Sequence, residues 1–493
     1  MSTLPGIVRA TVVALAAAGI VTGAAFRGGS VQLAAPHEQA GLPAVSDVLL
    51  DDSTLVCPGQ QRLGTQALRS VSGTLRVAAA ASPAAALAPH AVPTGAGTVT
   101  LATGRAGASV ARASARDAVV AGTTPTADPV VASATGGLAP GLAASQSWLR
   151  SGDDDRGLAV SPCGAAAADL WFVGGGSGAS RTERLVLSNP GANAVSVAFE
   201  VFGARGRVAS ADGRSVSIAP GSRASVSLDA IAPDEPAPAV HVIATGGVVA
   251  GVLDDAWIEG ATGRGLDDAT SAASPATDLV LAGLHVDGTA VLRVANPGKV
   301  EAVVRVRVLT ETASTQPAEL RAVRVPGESS TDVRLASVPT GVAGLRLEST
   351  APVVAGAYVE RRARTGTDRM SDFGWAPATP ALTGVAGLLV PGLAAVGLRS
   401  TLLLAAGPGG ATVRVLAGAG GATRVATVTV GPDRAAHVDL AGADRVWVTP
   451  ERGDVRAAVS VAGADAGGPY FSVAALASAP VTALAVPVRQ LTD

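Results

Sequence analysis

The chain has 493 residues, 48% of them hydrophobic, and a formal net charge of −2. This length suits three or four domains, and the even mixture of acidic and basic residues argues against nucleic acid as a partner. Aromatic residues make up only 3% of the chain, so the cores must be built from Val, Leu and Ala, whose burial stabilises each small domain only modestly.

The N-terminus predicts a targeting segment. Arg9 is the only charged side chain before Arg27, and residues 10–26 between them are apolar or weakly polar. That length suits the core of a signal peptide or a short membrane anchor. We therefore expect a hydrophobic helix within 1–29, a linker over 30–45, and an extracytoplasmic protein that is secreted or, if the segment stays uncleaved, anchored in the membrane.

A fragment of five residues recurs through the rest of the chain. It reads LVCPG from Leu55, LWFVG from Leu170, LVLAG from Leu279 and LLVPG from Leu388, and the last three copies start 109 residues apart. A fixed period indicates a tandem array of similar structural units. Three further fragments recur in the same order, and their first copies are LRVAAA from Leu75, VTLATG from Val99 and VVAS from Val130.

Alternating apolar residues predict that the units are made of strands. Val304, Val306 and Val308 fall on one face of such a segment and Arg305 and Arg307 on the other, as in a strand with one face on a core and one in water. Antiparallel sheets permit this pattern. We predict an all-β fold, a tandem array of immunoglobulin-like antiparallel β-sandwich units of about 100 residues after the N-terminal hydrophobic helix. The units are a divergent first one at 46–168, then 169–276, 277–385 and 386–493.

The two cysteines lie at opposite ends of the first unit. Cys57 falls in its opening strand, and Cys163 follows its last strand. An oxidising compartment would join cysteines that the fold brings together, so we predict a disulfide; two unrelated buried thiols are the alternative. Closing a loop of about 105 residues would contribute roughly 4–5 kcal/mol in the chain-entropy model.

No group of residues indicates catalysis, a cofactor or a bound metal. The five histidines are too far apart in sequence to suggest a shared metal, and no cysteine remains for zinc. GGGSG at 174–178 lacks the Lys-Ser/Thr of a phosphate-binding loop and is interpreted as a mobile loop. The acidic groups at 153–155, 254–255 and 267–268 lack the spacing of a calcium loop and are interpreted as solvated loop charge.

Trp257 and Trp375 are the candidate ligand contacts. Trp257 lies among acidic residues that include Asp254 and Glu259, and Trp375 lies in a Gly-rich segment near a unit boundary. An exposed tryptophan beside carboxylates could stack on a sugar ring. The alternative is that both side chains pack where two units meet.

Several motifs together resemble a known family. They are the N-terminal export segment, CPG at 57–59, PCG at 162–164, LWFVGGGSG from Leu170 and LVLSNPG from Leu185. Over nearly the whole chain this combination resembles an uncharacterised family of secreted or membrane-anchored actinobacterial proteins, a domain of unknown function. The resemblance implies an exported β-rich protein and brings no activity, ligand or site residues.

These observations favour an exported, non-catalytic scaffold or binding protein of the cell envelope. We expect a rod of β-sandwich units that presents its surface to an envelope protein or a glycan. An enzyme is not expected, because polar residues are spread thinly and are not concentrated in one unit. The alternative is an extracellular glycan-acting hydrolase with loop-borne carboxylates such as Asp254 and Glu259.

Overall fold

The structure is a computed structural model. It describes residues 46–59, 75–88, 90, 92–104, 107–124, 128–152, 156–178, 181–260, 262–363 and 370–485. The expected N-terminal helix, the linker and the acidic run at 153–155 lie outside the described residues. Within the described ranges, no helix is long and apolar enough to span a membrane.

The chain divides into two units. The smaller comprises residues 1–48 and 484–493 and contains most of a two-stranded sheet formed by β1 (Ser46–Leu49) and a C-terminal strand, Thr482–Ala485. The larger, Leu49–Ala483, is one compact unit and contains four β-sandwiches.

Eight strands in two antiparallel sheets form the first sandwich. They are β2 (Asp52–Cys57), β3 (Leu75–Ala81), β4 (Gly97–Thr103), β5 (Ala108–Ala113), β6 (Val120–Thr124), β7 (Val130–Gly136), β8 (Leu142–Ser151) and β9 (Arg156–Pro162). One sheet has the order β2-β7-β4-β5 and the other β6-β3-β8-β9, with antiparallel pairing throughout.

A second sandwich repeats this strand order. Its elements are β10 (Asp169–Val173), β11 (Arg181–Ser188), β12 (Val195–Gly203), β13 (Gly206–Arg207), β14 (Ser215–Ile218), β15 (Arg223–Ser227), the short helix α1 (Leu228–Ile231), β16 (Ala239–Thr245), β17 (Ala250–Glu259) and β18 (Thr262–Ala269). Its sheets run β10-β16-β12-β14, with β13 also paired to β12, and β15-β11-β17-β18.

The third and fourth sandwiches keep the order but fuse neighbouring strands into long ones that pass from one sheet to the other. The third has β19 (Ala276–Val286), β20 (Ala290–Asn296), β21 (Ala302–Leu309), β22 (Ser314–Thr315), β23 (Val323–Val325), β24 (Ser329–Arg334), β25 (Gly341–Arg362) and β26 (Ser371–Pro377). The fourth has β27 (Ala386–Leu389), β28 (Arg399–Ala419), β29 (Ala422–Val430), β30 (Ala435–Asp439), β31 (Arg445–Asp465) and β32 (Gly468–Ala475). The C-terminal strand Thr482–Ala485 is β33.

Sequence alternation explains why these segments are strands. On β21 the side chains of Val304, Val306 and Val308 are fully buried, whereas Arg305 is exposed. This confirms the predicted one-sided burial and the nearly all-β fold. The only other regular elements in the described ranges are α1 and four three-residue 3-10 turns, Ala84–Ala86, Ala209–Ala211, Ala318–Leu320 and Ala394–Val396.

The last strands of the four sandwiches form the centre of the larger unit. We call β9, β18, β26 and β32 the closing strands. β9 packs on β18, β18 on β26, β26 on β32, and β32 on β9 again. The four sandwiches therefore form a closed ring around these strands, and the expected rod is wrong.

Each closing strand fills the core of the preceding sandwich around the ring. Leu266 of β18 belongs to the core of the first sandwich, Phe373 and Trp375 of β26 to the second, Phe471 and Val473 of β32 to the third, and Leu158 and Val160 of β9 to the fourth. The sandwiches thus share their cores, and the unit boundaries drawn from the repeat remain predictions.

The divergent first unit explains a misplaced repeat match. In the later sandwiches the third and fourth fragments fall on β14 and β17 or on their equivalents. In the first sandwich the strands equivalent to β14 and β17 are β5 and β8. The fragments VTLATG and VVAS, which were matched to them by sequence, fall instead on β4 and β7. Each match is therefore displaced by one strand toward the N-terminus. Short alternating segments look alike in sequence, so similarity alone did not fix their register.

Candidate functional site

The centre of the ring is a buried acidic cluster carried by the closing strands. The strands approach closely because β9 and β18 each carry an Arg-Gly-Leu sequence with glycine at the contact. Gly265 has φ +119°, and a Cβ there would lie 2.7 Å from the Cα of Asp372. Glycine is required both by the backbone conformation and by the absence of space.

Asp372 joins all four closing strands. Its carboxylate accepts main-chain N–H bonds from Leu158 at 2.9 Å, Leu266 at 3.1 Å, Phe373 at 3.0 Å and Phe471 at 2.8 Å. The residue is fully buried. Burial raises the pKa of Asp372, and the four N–H donors oppose that shift because they favour the charged form.

Asp267 links three of the closing strands. It accepts the main-chain N–H of Trp375 at 2.7 Å and the hydroxyl of Ser472 at 3.1 Å. The Ser472 hydroxyl in turn accepts the N–H of Val160 at 2.9 Å. Burial raises the pKa of Asp267 well above its ordinary value.

Asp268 and Asp254 face the first sandwich. They are opposite one another on β18 and β17 and are both buried. Asp268 accepts bonds from the Gln146 amide at 2.9 Å and the Ser161 hydroxyl at 3.2 Å. Burial raises the pKa of Asp268 to about 7, and the neighbouring Asp254 carboxylate adds to the shift.

Asp255 belongs to a second polar cluster between the second and third sandwiches. Arg181 donates two hydrogen bonds to its carboxylate, at 2.8 and 2.6 Å, and the indole N–H of Trp375 donates to the same group at 2.9 Å. Glu183 lies 3.1 Å from the Arg181 guanidinium. Burial raises the pKa of Glu183 to about 8, Asp255 adds to the shift, and Arg181 opposes it.

The interpretation of the acidic pairs as solvated loop charge is therefore wrong. All four carboxylates at 254–255 and 267–268 lie on strands and are at most 5% exposed. Neighbouring residues on a strand point to opposite faces, so each pair serves two different contacts. Sequence reasoning missed this because acidic residues are rarely buried without partners.

The GGGSG segment is not a mobile loop, because its three leading glycines are buried. Arg293 of the third sandwich donates to the carbonyls of Gly174 at 3.1 Å and Gly175 at 2.9 Å, while Asp332 holds the same guanidinium through two bonds.

The equivalent Arg76 of the first sandwich donates to the Pro391 carbonyl of the fourth at 2.7 Å. Both arginines come from the repeated LRV fragment. The Gly174 and Pro391 carbonyls come from the end of the repeated LxxxG fragment, and Gly175 directly follows it. The two recurring fragments therefore meet across the joints between sandwiches, a signal that the sequence already contained.

The two candidate tryptophans have different surroundings. Trp375 is 3% exposed and packs in the core of the second sandwich, which matches the packing alternative. Trp257 on β17 is half-buried, and the Arg181 guanidinium lies 5.6 Å from the centre of its ring. Only Trp257 retains surface for a ligand.

The proposed hydrolase carboxylates also lie in different environments. Asp254 is 2% exposed, whereas Glu259 is exposed and accepts a bond from Arg264 at 2.8 Å. Within the described part of the chain, no group of three or more His, Cys, Asp or Glu side chains could hold a metal ion. Asp254 and Glu259 therefore do not share one environment.

Cys57 and Cys163 form the predicted disulfide, with Cα atoms 4.4 Å apart. Reciprocal main-chain bonds between Val56 and Gly164 lie beside it, at 2.9 and 3.1 Å. The bond therefore fixes the end of the closing strand β9 to the opening strand of its own sandwich.

Comparison with known proteins supplies a family but no activity. No curated protein matches the sequence. Among solved structures, the chain is similar to a tetra-tandem repeat from the extending region of a large adhesion protein (15% identity, 78% of this chain and 92% of that one, TM-score 0.11). It is also similar to the pilus adhesin SpaC from Lactobacillus rhamnosus GG (8% identity, 83% of this chain and 56% of that one, TM-score 0.10). Scores this low carry no argument. The model of a family of unknown function, DUF5719, matches residues 109–441, and the chain belongs to that family.

Proposed function

We propose that the chain is an exported, non-catalytic scaffold or binding protein of the cell envelope. The observation that supports this most directly is the use of the buried carboxylates. Asp372 accepts four main-chain N–H bonds, and Asp267 and Asp268 each accept two bonds. These groups hold strands together and are closed to a substrate.

An extracytoplasmic location is supported by the disulfide, because structural disulfides persist in oxidising compartments. Peptide mapping without reductant, on protein taken from the native host, should recover Cys57 and Cys163 as one linked pair. Recovery of both as free thiols in that material would contradict export.

The partner we propose is an envelope protein or a glycan that contacts the surface around Trp257. Trp257→Ala should weaken binding by about 1–3 kcal/mol, as is usual for a tryptophan at an interface hot spot, and should lower the melting temperature less than Trp375→Ala does, since the half-buried ring packs only at the edge of the second core. Trp375→Ala is the matched comparison. It should lower the free energy of unfolding by about 3–5 kcal/mol, because it empties part of a core and removes a donor to Asp255.

The deciding experiment separates binding from turnover. The oxidised full-length chain is incubated with purified cell-wall glycan, and retained protein and released reducing sugar are both measured. We expect retention without release, reduced by Trp257→Ala. Sugar release that is lost in Asp254→Asn or Glu259→Gln, with both variants still folded, would replace the scaffold proposal by the hydrolase alternative.

A further inference from the structure

A cavity of about 480 Å³ lies at one end of the closing strands. Four segments line it, 162–165, 270–274, 379–383 and 476–480, and each lies at the C-terminal end of one closing strand. All four sandwiches therefore contribute equivalent backbone to one space. The volume is within the range of about 300–1,000 Å³ that is common for small-molecule sites.

The lining is uncharged. None of the described residues around the cavity carries a charge or an aromatic ring, and the six polar side chains other than the cysteine are all hydroxyls. Most of the accessible apolar surface comes from the alanines and prolines of the four segments, because the lining leucines are at most 6% exposed. A charged ligand would find no counter-charge among the described lining residues.

Several main-chain N–H groups of the lining are already engaged. Those of Cys163, Ala273, Leu382 and Leu476 donate to protein carbonyls at 2.8–2.9 Å. Beyond the six hydroxyls, the side chains of the described lining residues offer a hydroxyl-rich ligand no strong hydrogen-bonding partner. The chemistry favours an aliphatic ligand over a sugar.

We propose that this cavity binds one alkyl chain of a monomeric lipid. Burial of methylene groups against the alanines and prolines provides the affinity, and the hydroxyls accommodate a small uncharged end group. The proposal goes beyond the scaffold function and does not depend on the partner at Trp257.

A single lipid molecule suits the site better than a membrane surface does. Attachment to an anionic bilayer usually uses clustered Lys and Arg, and interfacial anchoring uses Trp and Tyr. The residues described around the cavity include none of these four types.

The test uses 1-decanol as the probe and the oxidised full-length chain. Calorimetry should show saturable binding of one decanol per chain, with a negative heat-capacity change as apolar surface is buried. Ala381→Trp places a large side chain at the cavity wall and should weaken binding at least tenfold. Ala477→Trp is a second variant of the same kind, and Ala422→Trp, at an exposed position on β29, is the matched control.

The outcomes are distinct. Decanol binding that Ala381→Trp and Ala477→Trp weaken and Ala422→Trp leaves unchanged, in variants with unaltered melting temperatures, supports the proposal. Absence of saturable binding overturns it, and so does binding that none of the cavity variants alters. Co-sedimentation with phosphatidylglycerol vesicles that depends on Ala381 would overturn the assignment to a monomeric lipid. The glycan retention assay is unaffected by these results, so the two proposals fail separately.

Discussion

Asp372 explains how a buried acid can be a structural residue. Four strands from four sandwiches bring their N–H groups to one point, and two carboxylate oxygens can accept all of them. An amide at this position would present its own N–H₂ group to some of those donors. The requirement is therefore for a side chain with two acceptor oxygens.

Asp372→Asn should be strongly destabilising. Replacing one oxygen by N–H₂ would leave about two buried N–H groups without an acceptor, which costs roughly 2–5 kcal/mol in the free energy of unfolding. Urea denaturation monitored by tryptophan fluorescence measures the change. Asp229→Asn, at an exposed position, should stay within about 0.5 kcal/mol of the parent chain. If the two variants changed the free energy of unfolding equally, the proposal that Asp372 stabilises the contact of the four strands would be wrong.

The raised pKa values predict a dependence of stability on pH. Asp268 has a pKa of about 7 when folded and about 3.9 when unfolded, so between these values the folded state binds more protons. Stability contributed by the neutral form is then lost as pH rises through that window. Glu183, with a pKa of about 8, acts in the same direction up to a higher pH.

Thermal melts from about pH 5 to about pH 8 check this. We expect the melting temperature to fall by several degrees over that range, because each pH unit below a raised folded pKa changes stability by about 1.4 kcal/mol per group. Asp268→Asn should reduce the slope, because the amide resembles the neutral acid, and should leave the part that Glu183 contributes. A rise in stability over the same range, or an unchanged slope in the variant, would contradict the assignment.

At the scale of elements, the closing strand determines the architecture. Each closing strand is hydrogen-bonded in the sheet of its own sandwich, while its apolar side chains enter the core of the preceding one. Two glycines at the crossing allow this close approach. The strand is therefore the unit through which the sandwiches are coupled.

Gly265→Ala tests the close approach of β18 and β26. The added Cβ would overlap the backbone of Asp372 at a residue with φ +119°, so we expect a loss of about 1–3 kcal/mol or more from overpacking and strain. Gly421→Ala is the control, since a Cβ there meets no atom within 4 Å. The control should change stability by less than about 1 kcal/mol. The urea midpoints of the two variants, each compared with that of the parent chain, measure the loss of stability.

The sequence predicted the strands and the repeat but not the sharing of cores. The alternating pattern on β21 shows which side chains are buried. The same pattern would occur whichever sandwich core those side chains entered, so it does not identify the core. Strand β9 is an example, because the core that Leu158 and Val160 enter lies more than about 200 residues later in the chain. The acidic pairs were misassigned for a related reason: most of their partners are polar groups of other repeats, such as the Gln146 amide, the Ser472 hydroxyl and the main-chain N–H of Trp375, which lie far away in sequence.

At the scale of the whole molecule, ring closure depends on one strand that differs from the other three. β18, β26 and β32 each fill the core that precedes them directly in the chain, whereas β9 fills the core of the last sandwich. β9 is also the closing strand whose end is held by a disulfide. Its other end is held at β32 by Arg156, which donates to the Gly468 carbonyl at 2.8 Å and stacks on Tyr470.

Loss of the disulfide should therefore loosen the ring at the joint between the first and fourth sandwiches. The chain-entropy model gives about 4–5 kcal/mol for a loop of the 106-residue separation. Cys57→Ala/Cys163→Ala and the reduced parent chain should both lose hydrogen-exchange protection at Leu158, Val160 and Phe471, and across β28 and β31 of the fourth sandwich. Strand β12 of the second sandwich is the internal control and should keep its protection, because its core is closed by β26. If protection fell only in β2 and β3, the disulfide would stabilise the first sandwich alone, and β9 would close the ring without its help.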